Sequence, residues 1–398
     1  MIGTARASVL RLTLARACAW GLLVAGWIGI GSFSLQLAPT VASGFALLAL
    51  WLLALGAAAA VNTRGGLRRW TRALALCIGG AMTGIALLAT GRGGGLPALL
   101  LVIVGWAALT ALASGVVRSL RLMQAATPSP PIAAASLGAL GAGLLLGDPG
   151  DLPALSTRLA AFVGAAALLL AFLQSRVDDR PRSPGCRAGL FDCSLPAWPA
   201  GAWRDSLQWP TLLAGLAMLP MMAALPMIAA WCRTQGVAPQ TMVLLHLAAM
   251  FGPALVLRRS IARWSLRTLS IVCTILLASG AALVTWVAAP LDLLGLAVTH
   301  GAAWGLAWAG QLWAPARRGR QGTSPLLAAA GYALVTLGFG LAVEHAGARG
   351  VAAVHVALGL GALAAWLVKG APAVWPRSGT ARRHATTVSP PSHHGAGR

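Results

Sequence analysis

Apolar residues along this chain come in blocks of about twenty, the length that carries a helix across a ~30 Å hydrocarbon core. The first six blocks run over 17–39, 43–61, 70–90, 96–117, 131–148 and 156–174. After a polar stretch the pattern resumes at 209–232, 240–257, 266–288, 293–313, 325–343 and 350–369. Two sets of six apolar helices predict an all-α polytopic membrane protein. The expected division is a six-helix half over 1–174, a cytoplasmic linker over 175–208, a second half over 209–370 and a disordered basic tail over 371–398. The linker is marked by Asp178-Asp179-Arg180-Pro181 and by Pro184, Pro196 and Pro199. The tail is marked by its run of Pro, Ser, Arg and His.

Composition agrees with the pattern. Of 398 residues, 58% are hydrophobic and only 10% charged, with a mean hydropathy of +0.77, well outside the range of soluble globular chains. The net charge of +22 changes the picture only through its placement. Arg64, Arg68, Arg69 and Arg72 follow the second block, Arg118 and Arg121 the fourth, and Arg258, Arg259, Arg263 and Arg267 the eighth. These loops all fall on one side, together with the linker and both ends of the chain, whereas the opposite loops carry chiefly Arg92, Arg158, Arg233 and Arg349. Such an asymmetry is topogenic, puts both termini in the cytoplasm, and argues against nucleic-acid binding. The arginines near the N-terminus read as the flank of a retained first helix.

The two halves echo each other. The basic loop Asn62 to Trp70 after the second helix matches in position Leu257 to Trp264 after the eighth. Six plus six helices, a long middle loop and basic loops at equivalent places resemble the major facilitator superfamily, in which substrate sites lie near the bilayer midplane between the halves.

Candidate chemistry gathers in one hairpin, Trp209 to Leu257, whose two helices are joined by the polar turn Cys232 to Gly236. Six of the nine methionines lie here: Met218, Met221, Met222, Met227, Met242 and Met250. Met218-x3-Met222 on the first helix and His246-x3-Met250 on the second each place two donors on one helix face. If the helices run antiparallel about Thr234, Met218 is level with Met250 and Met222 with His246, all within the middle third of the bilayer. Methionine at helical spacing is more often packing than ligand. Two such pairs at mirrored depths are not required by packing, and thioether with imidazole is a donor set suited to Cu(I). Pro220 and Pro226 break the first helix, as transporters do beside their sites.

With these residues in place, the chain resembles the CcoA-like copper transporters of the major facilitator superfamily. The resemblance rests on Met218-x3-Met222, His246-x3-Met250, the separation of the two motifs and Phe251-x-Pro253. After Pro253 the chain departs from that pattern, with Ala254-Leu-Val-Leu257 leading directly to Arg258. The resemblance implies a multi-pass bacterial inner-membrane importer that supplies copper for cytochrome oxidase assembly. It implies Met218, Met222, His246 and Met250 as copper ligands, with Met218 and His246 essential. It also implies copper as transported substrate with no permanent cofactor. Expected partners are the lipid bilayer, the copper ion, and copper chaperones or oxidase assembly factors.

Other features carry less. His300 and His355 lie in the tenth and twelfth blocks, where a helix–helix hydrogen bond is the expected role and a relay or auxiliary ligand the alternative. His300 to Trp308 resembles the tryptophan-rich motifs of haem-handling membrane proteins but lacks their acidic residue. The six cysteines show no CxxC spacing and imply no disulfide framework. Cys232 reads as an interfacial cysteine at the outer end of the hairpin. None of the eight acidic residues sits at the centre of a block, and there is no Walker sequence, Ser/His/Asp set or zinc motif. The reading is therefore a transporter and no enzyme. The alternatives are a major-facilitator carrier of a small organic solute, riboflavin-like for example, or a haem-handling protein that assists oxidase assembly.

Overall fold

A computed structural model describes residues 2–64, 77–85, 95–123, 131–174, 232–257, 264, 268, 271–276, 278–279, 290–313 and 325–368. Among these the regular structure is helical throughout. The long helices are α1 (Ile2–Leu37), α2 (Val41–Arg64), α3 (Gly95–Met123), α4 (Pro131–Leu146) and α5 (Leu152–Gln174). They continue with α6 (Pro239–Val256), α7 (Pro290–Trp313) and α8 (Pro325–Val368). Five described segments are long and apolar enough to cross a membrane: 9–37, 41–61, 95–117, 152–173 and 329–347.

The predicted block boundaries agree with these helices within a few residues, with two instructive differences. Helix α1 starts fifteen residues before the first apolar block, because Ala, Leu and Arg favour helix whether or not the window is apolar. Helix α8 spans two predicted blocks, and Gly347 at φ 53° and ψ −135° breaks it where a loop is expected. Only glycine occupies such a backbone conformation without strain. The linker 175–208, the first helix of the focal hairpin up to Trp231 and the tail from Ala371 lie outside the described residues.

Helix ends are stopped by local chemistry. Thr40 and Ser43 form a reciprocal capping box at the start of α2, Ser43 N donating to Thr40 Oγ1 (3.2 Å) and Thr40 N to Ser43 Oγ (3.1 Å). Asp151 accepts from Ala154 N (3.2 Å) before α5. Before α6, Gly236 turns the chain at φ 69°, and Pro239 opens the helix at a position that needs no N–H.

Packing is that of a membrane bundle. The outer surface presents large apolar side chains, Leu168, Leu291 and Val256 among them, as a lipid-facing wall. The interior closes around aromatic rings. Gly26 of α1 lets Trp51 and Trp106 approach its backbone, and Trp106 Nε1 donates to Leu22 O at 2.8 Å. The two halves meet where α2 packs against α8 and α4 against α6. At Gly143 of α4 a Cβ would lie 2.8 Å from Leu247 of α6, so glycine sets the closeness of that contact.

Among the described residues, polar contacts cross between the halves at the helix ends opposite the basic loops. Arg233 pairs with Asp148 through both carboxylate oxygens at 3.2 Å. Gln240 Nε2 donates to Leu144 O at 3.3 Å. Glu344 of α8 accepts from Ala42 N in the first turn of α2 at 2.6 Å, an anion at a helix N-terminus.

Candidate functional site

The site is built from the register of two helices. Gly301 and Gly305 of α7 lie four residues apart, the same spacing as His246 and Met250 of α6. A Cβ at Gly301 would stand 2.5 Å from His246 O, and one at Gly305 would overlap the Met250 carbonyl. Each glycine therefore sits directly on the backbone of one candidate ligand. The equal spacing means that α6 and α7 run parallel here, backbone against backbone, as small-residue stripes permit.

This register brings His300 to His246. The two rings stack with centroids 5.3 Å apart and an interplanar angle of 29°. Both side chains are buried. His246 Nδ1 lies 3.1 Å from Ala297 O, one turn before His300. A carbonyl only accepts, so Nδ1 carries the proton, and in the neutral ring the lone pair belongs to Nε2. That Nε2 is buried and has no hydrogen-bond partner among the described residues. A backbone carbonyl fixing one imidazole nitrogen so that the other is free is the usual support of a metal-binding histidine.

Met250 is fully buried one turn further along α6. Pro253 supplies no N–H to the Ala249 carbonyl, which loosens the helix just past the pair. Beyond Met250 three rings from three helices close the space: Trp20 of α1, Phe251 of α6 and Trp304 of α7. Their centroids are 5.6, 5.8 and 5.9 Å apart, all in edge-to-face contact. Toward the outer end, Met242 lies one turn before His246 with its sulfur 3.3 Å from Cys232 Sγ. Cys232, expected at the interface, is buried. Among the described residues its thiol is free, as are those of Cys18, Cys77 and Cys273.

Of the four predicted ligands, His246 and Met250 share the α6 face turned to α7, whereas Met218 and Met222 lie outside the described residues. A helix–helix hydrogen bond, expected of His300, is made beside it by His246 to Ala297, and the His300 ring stacks on that of His246. The side chain of His355 is outside the described set. Gly301-x3-Gly305 repeats the spacing of His246-x3-Met250, and that match is the signal in the sequence for the α6–α7 contact. Among the described residues no three His, Cys, Asp or Glu side chains gather closely enough to hold a metal. A metal at this place would depend on thioethers.

Comparison with solved structures follows from this arrangement of helices. The nucleoside transporter NupG superposes with a TM-score of 0.60 at 14% identity, covering 90% of this chain and 97% of that one. The chain has the major facilitator fold. The D-xylose-proton symporter superposes with a TM-score of 0.55 at 14% identity, over 90% of this chain and 97% of the other. The human organic anion transporter MFSD10 does so with 0.52 at 15% identity, over 90% and 98%. No protein-family model and no curated protein matches the sequence.

Proposed function

We propose that this chain is a secondary transporter of the bacterial inner membrane that carries copper inward as Cu(I), holding it in transit on Met218, Met222, His246 and Met250. The observation that carries the reading is His246. Its Nδ1 is committed to Ala297 O, its Nε2 is buried and unpartnered among the described residues, and Met250 lies on the same face one turn away. A buried nitrogen lone pair beside a thioether offers Cu(I) soft donors that need no deprotonation. The resemblance at the four ligand positions supports the choice of copper and the inward direction. Copper chaperones or oxidase assembly factors would receive the ion. Major facilitator proteins work by rocking one half against the other around a mid-membrane site, and release of the Arg233–Asp148 and Glu344–Ala42 contacts would open the outer side.

The test is copper content and cytochrome oxidase activity in a deletion strain carrying wild type, Met218→Ala or His246→Ala. Low copper and low oxidase, restored by wild type and by neither variant, is the expected result. Full restoration by both variants refutes the reading.

A second reading has its own observation. In the N-terminal half the indole N–H groups of Trp27 and Trp51 are buried without a hydrogen-bond partner among the described residues, with ring centroids 4.9 Å apart. Buried donors of this kind suit a carbonyl-bearing organic solute, and the structural neighbours are named for nucleosides, a sugar and organic anions. Saturable uptake of such a compound, lost in Trp27→Phe with Trp51→Phe and indifferent to His246→Ala, would favour it.

A further inference from the structure

We infer that His300 is a direct donor to the transported ion, so that the cargo site is shared by α7 as well as by α6. The inference rests on the copper reading and deepens it. Its first support is contact: the His300 ring lies against a buried imidazole whose Nδ1 is held by a backbone carbonyl and whose Nε2 is left over. Two imidazoles that share one ion at the ~2.0–2.1 Å usual for such bonds have centroids roughly 4.5–6.5 Å apart, depending on the angle at the metal. The observed 5.3 Å falls inside that range. The Ala297 carbonyl keeps the His246 ring in place, so taking up an ion asks only the His300 ring to turn a nitrogen toward His246 Nε2. That is a rotation about side-chain bonds and leaves the helices in place.

The second support is backbone register. Gly301 and Gly305 set α7 directly on the carbonyls of His246 and Met250. A helix packed this closely has its next outward residue, His300, held at the depth of His246. Burial is the third. At 1% exposure His300 lies in the interior at mid-helix, where an ionisable side chain is a candidate for function by default. A donor from α7 also has a mechanical consequence. Helices α6 and α7 would be tied through the ion, and loading the site would stiffen that pair before it moves.

The test titrates purified full-length protein in detergent with Cu(I) against a competing chromogenic chelator, and counts imidazoles by X-ray absorption of the loaded protein. The set is wild type, His246→Ala, His300→Leu and His300→Met. The expected result is two imidazoles in wild type, binding weakened roughly tenfold or more in His300→Leu, and recovery in His300→Met, which restores a soft donor. One imidazole in wild type, with His300→Leu within twofold and His246→Ala defective, overturns the inference and leaves the copper reading standing. Absence of Cu(I) binding by wild type overturns both. Equal loss in His300→Leu and His300→Met, with one imidazole in wild type, assigns His300 to packing and also overturns the inference.

Discussion

Replacing Gly305 by alanine tests the helix register on which the site depends. In a helix interior that change is ordinarily favourable by about 0.4–1 kcal/mol, because the unfolded chain loses freedom. Here the new methyl would fall on the carbonyl oxygen, carbon and Cα of Met250. These are backbone atoms and have no rotamer to change. Ordinary contact then requires α6 and α7 to part by on the order of 1 Å. Overpacking of this kind costs about 1–3 kcal/mol, which exceeds the helix gain, so the net expectation is a loss of about 1–2 kcal/mol. Gly338 of α8 is the control. A Cβ there meets no described atom within 4 Å, and Gly338→Ala should be neutral or stabilising. The assay is unfolding in mixed detergent followed by tryptophan fluorescence. Trp304 is well placed to report, being buried beside Gly305 in contact with Trp20 and Phe251. On the proposed copper reading, Gly305→Ala should also bind Cu(I) more weakly, since His300 would be drawn away from His246. A Gly305→Ala protein as stable as Gly338→Ala would refute the close register of α6 on α7.

Three further outcomes follow from the fold. Arg233→Ala and Asp148→Asn should each change stability by less than about 1 kcal/mol, because the pair is half exposed and screened; a double-mutant cycle on unfolding should show coupling of that size or less. On the proposed copper reading, their larger effect is expected on transport rate, read by radiolabelled copper uptake, since this pair bridges the two halves. Glu344→Gln removes the negative charge at the N-terminus of α2 and should cost about 0.3–1 kcal/mol; chemical denaturation at low and high salt should show the deficit shrinking as salt rises. Trp106→Phe removes the indole donor from the Leu22 carbonyl, which keeps its partner within α1, and should cost about 0.5–1.5 kcal/mol by the same denaturation assay, whereas a cost below about 0.5 kcal/mol would mean that this hydrogen bond is replaced.

Much of the molecule is legible in the order of its residues. Hydropathy is a property of a contiguous stretch, and the bilayer reads it stretch by stretch. The blocks therefore mark the helices, and Gly347 falls at the break between the last two. Candidate ligands are legible where their spacing is local: His246 and Met250 share a face because four residues make roughly one turn. What composition does not convey is partnership between segments far apart in the chain. Nothing in the run from Pro290 to Trp313 says that its glycines will rest on His246 and Met250, because the match becomes visible only when two helices some fifty residues apart are laid side by side. Likewise Glu344 reads as an acidic residue near a helix end, and only the meeting of α8 with α2 makes it the cap of Ala42. Local sequence determined which segments are helical and which donors face together. The tertiary structure decided which backbone approaches which, because that choice depends on close-range fit between surfaces that the chain order does not bring together.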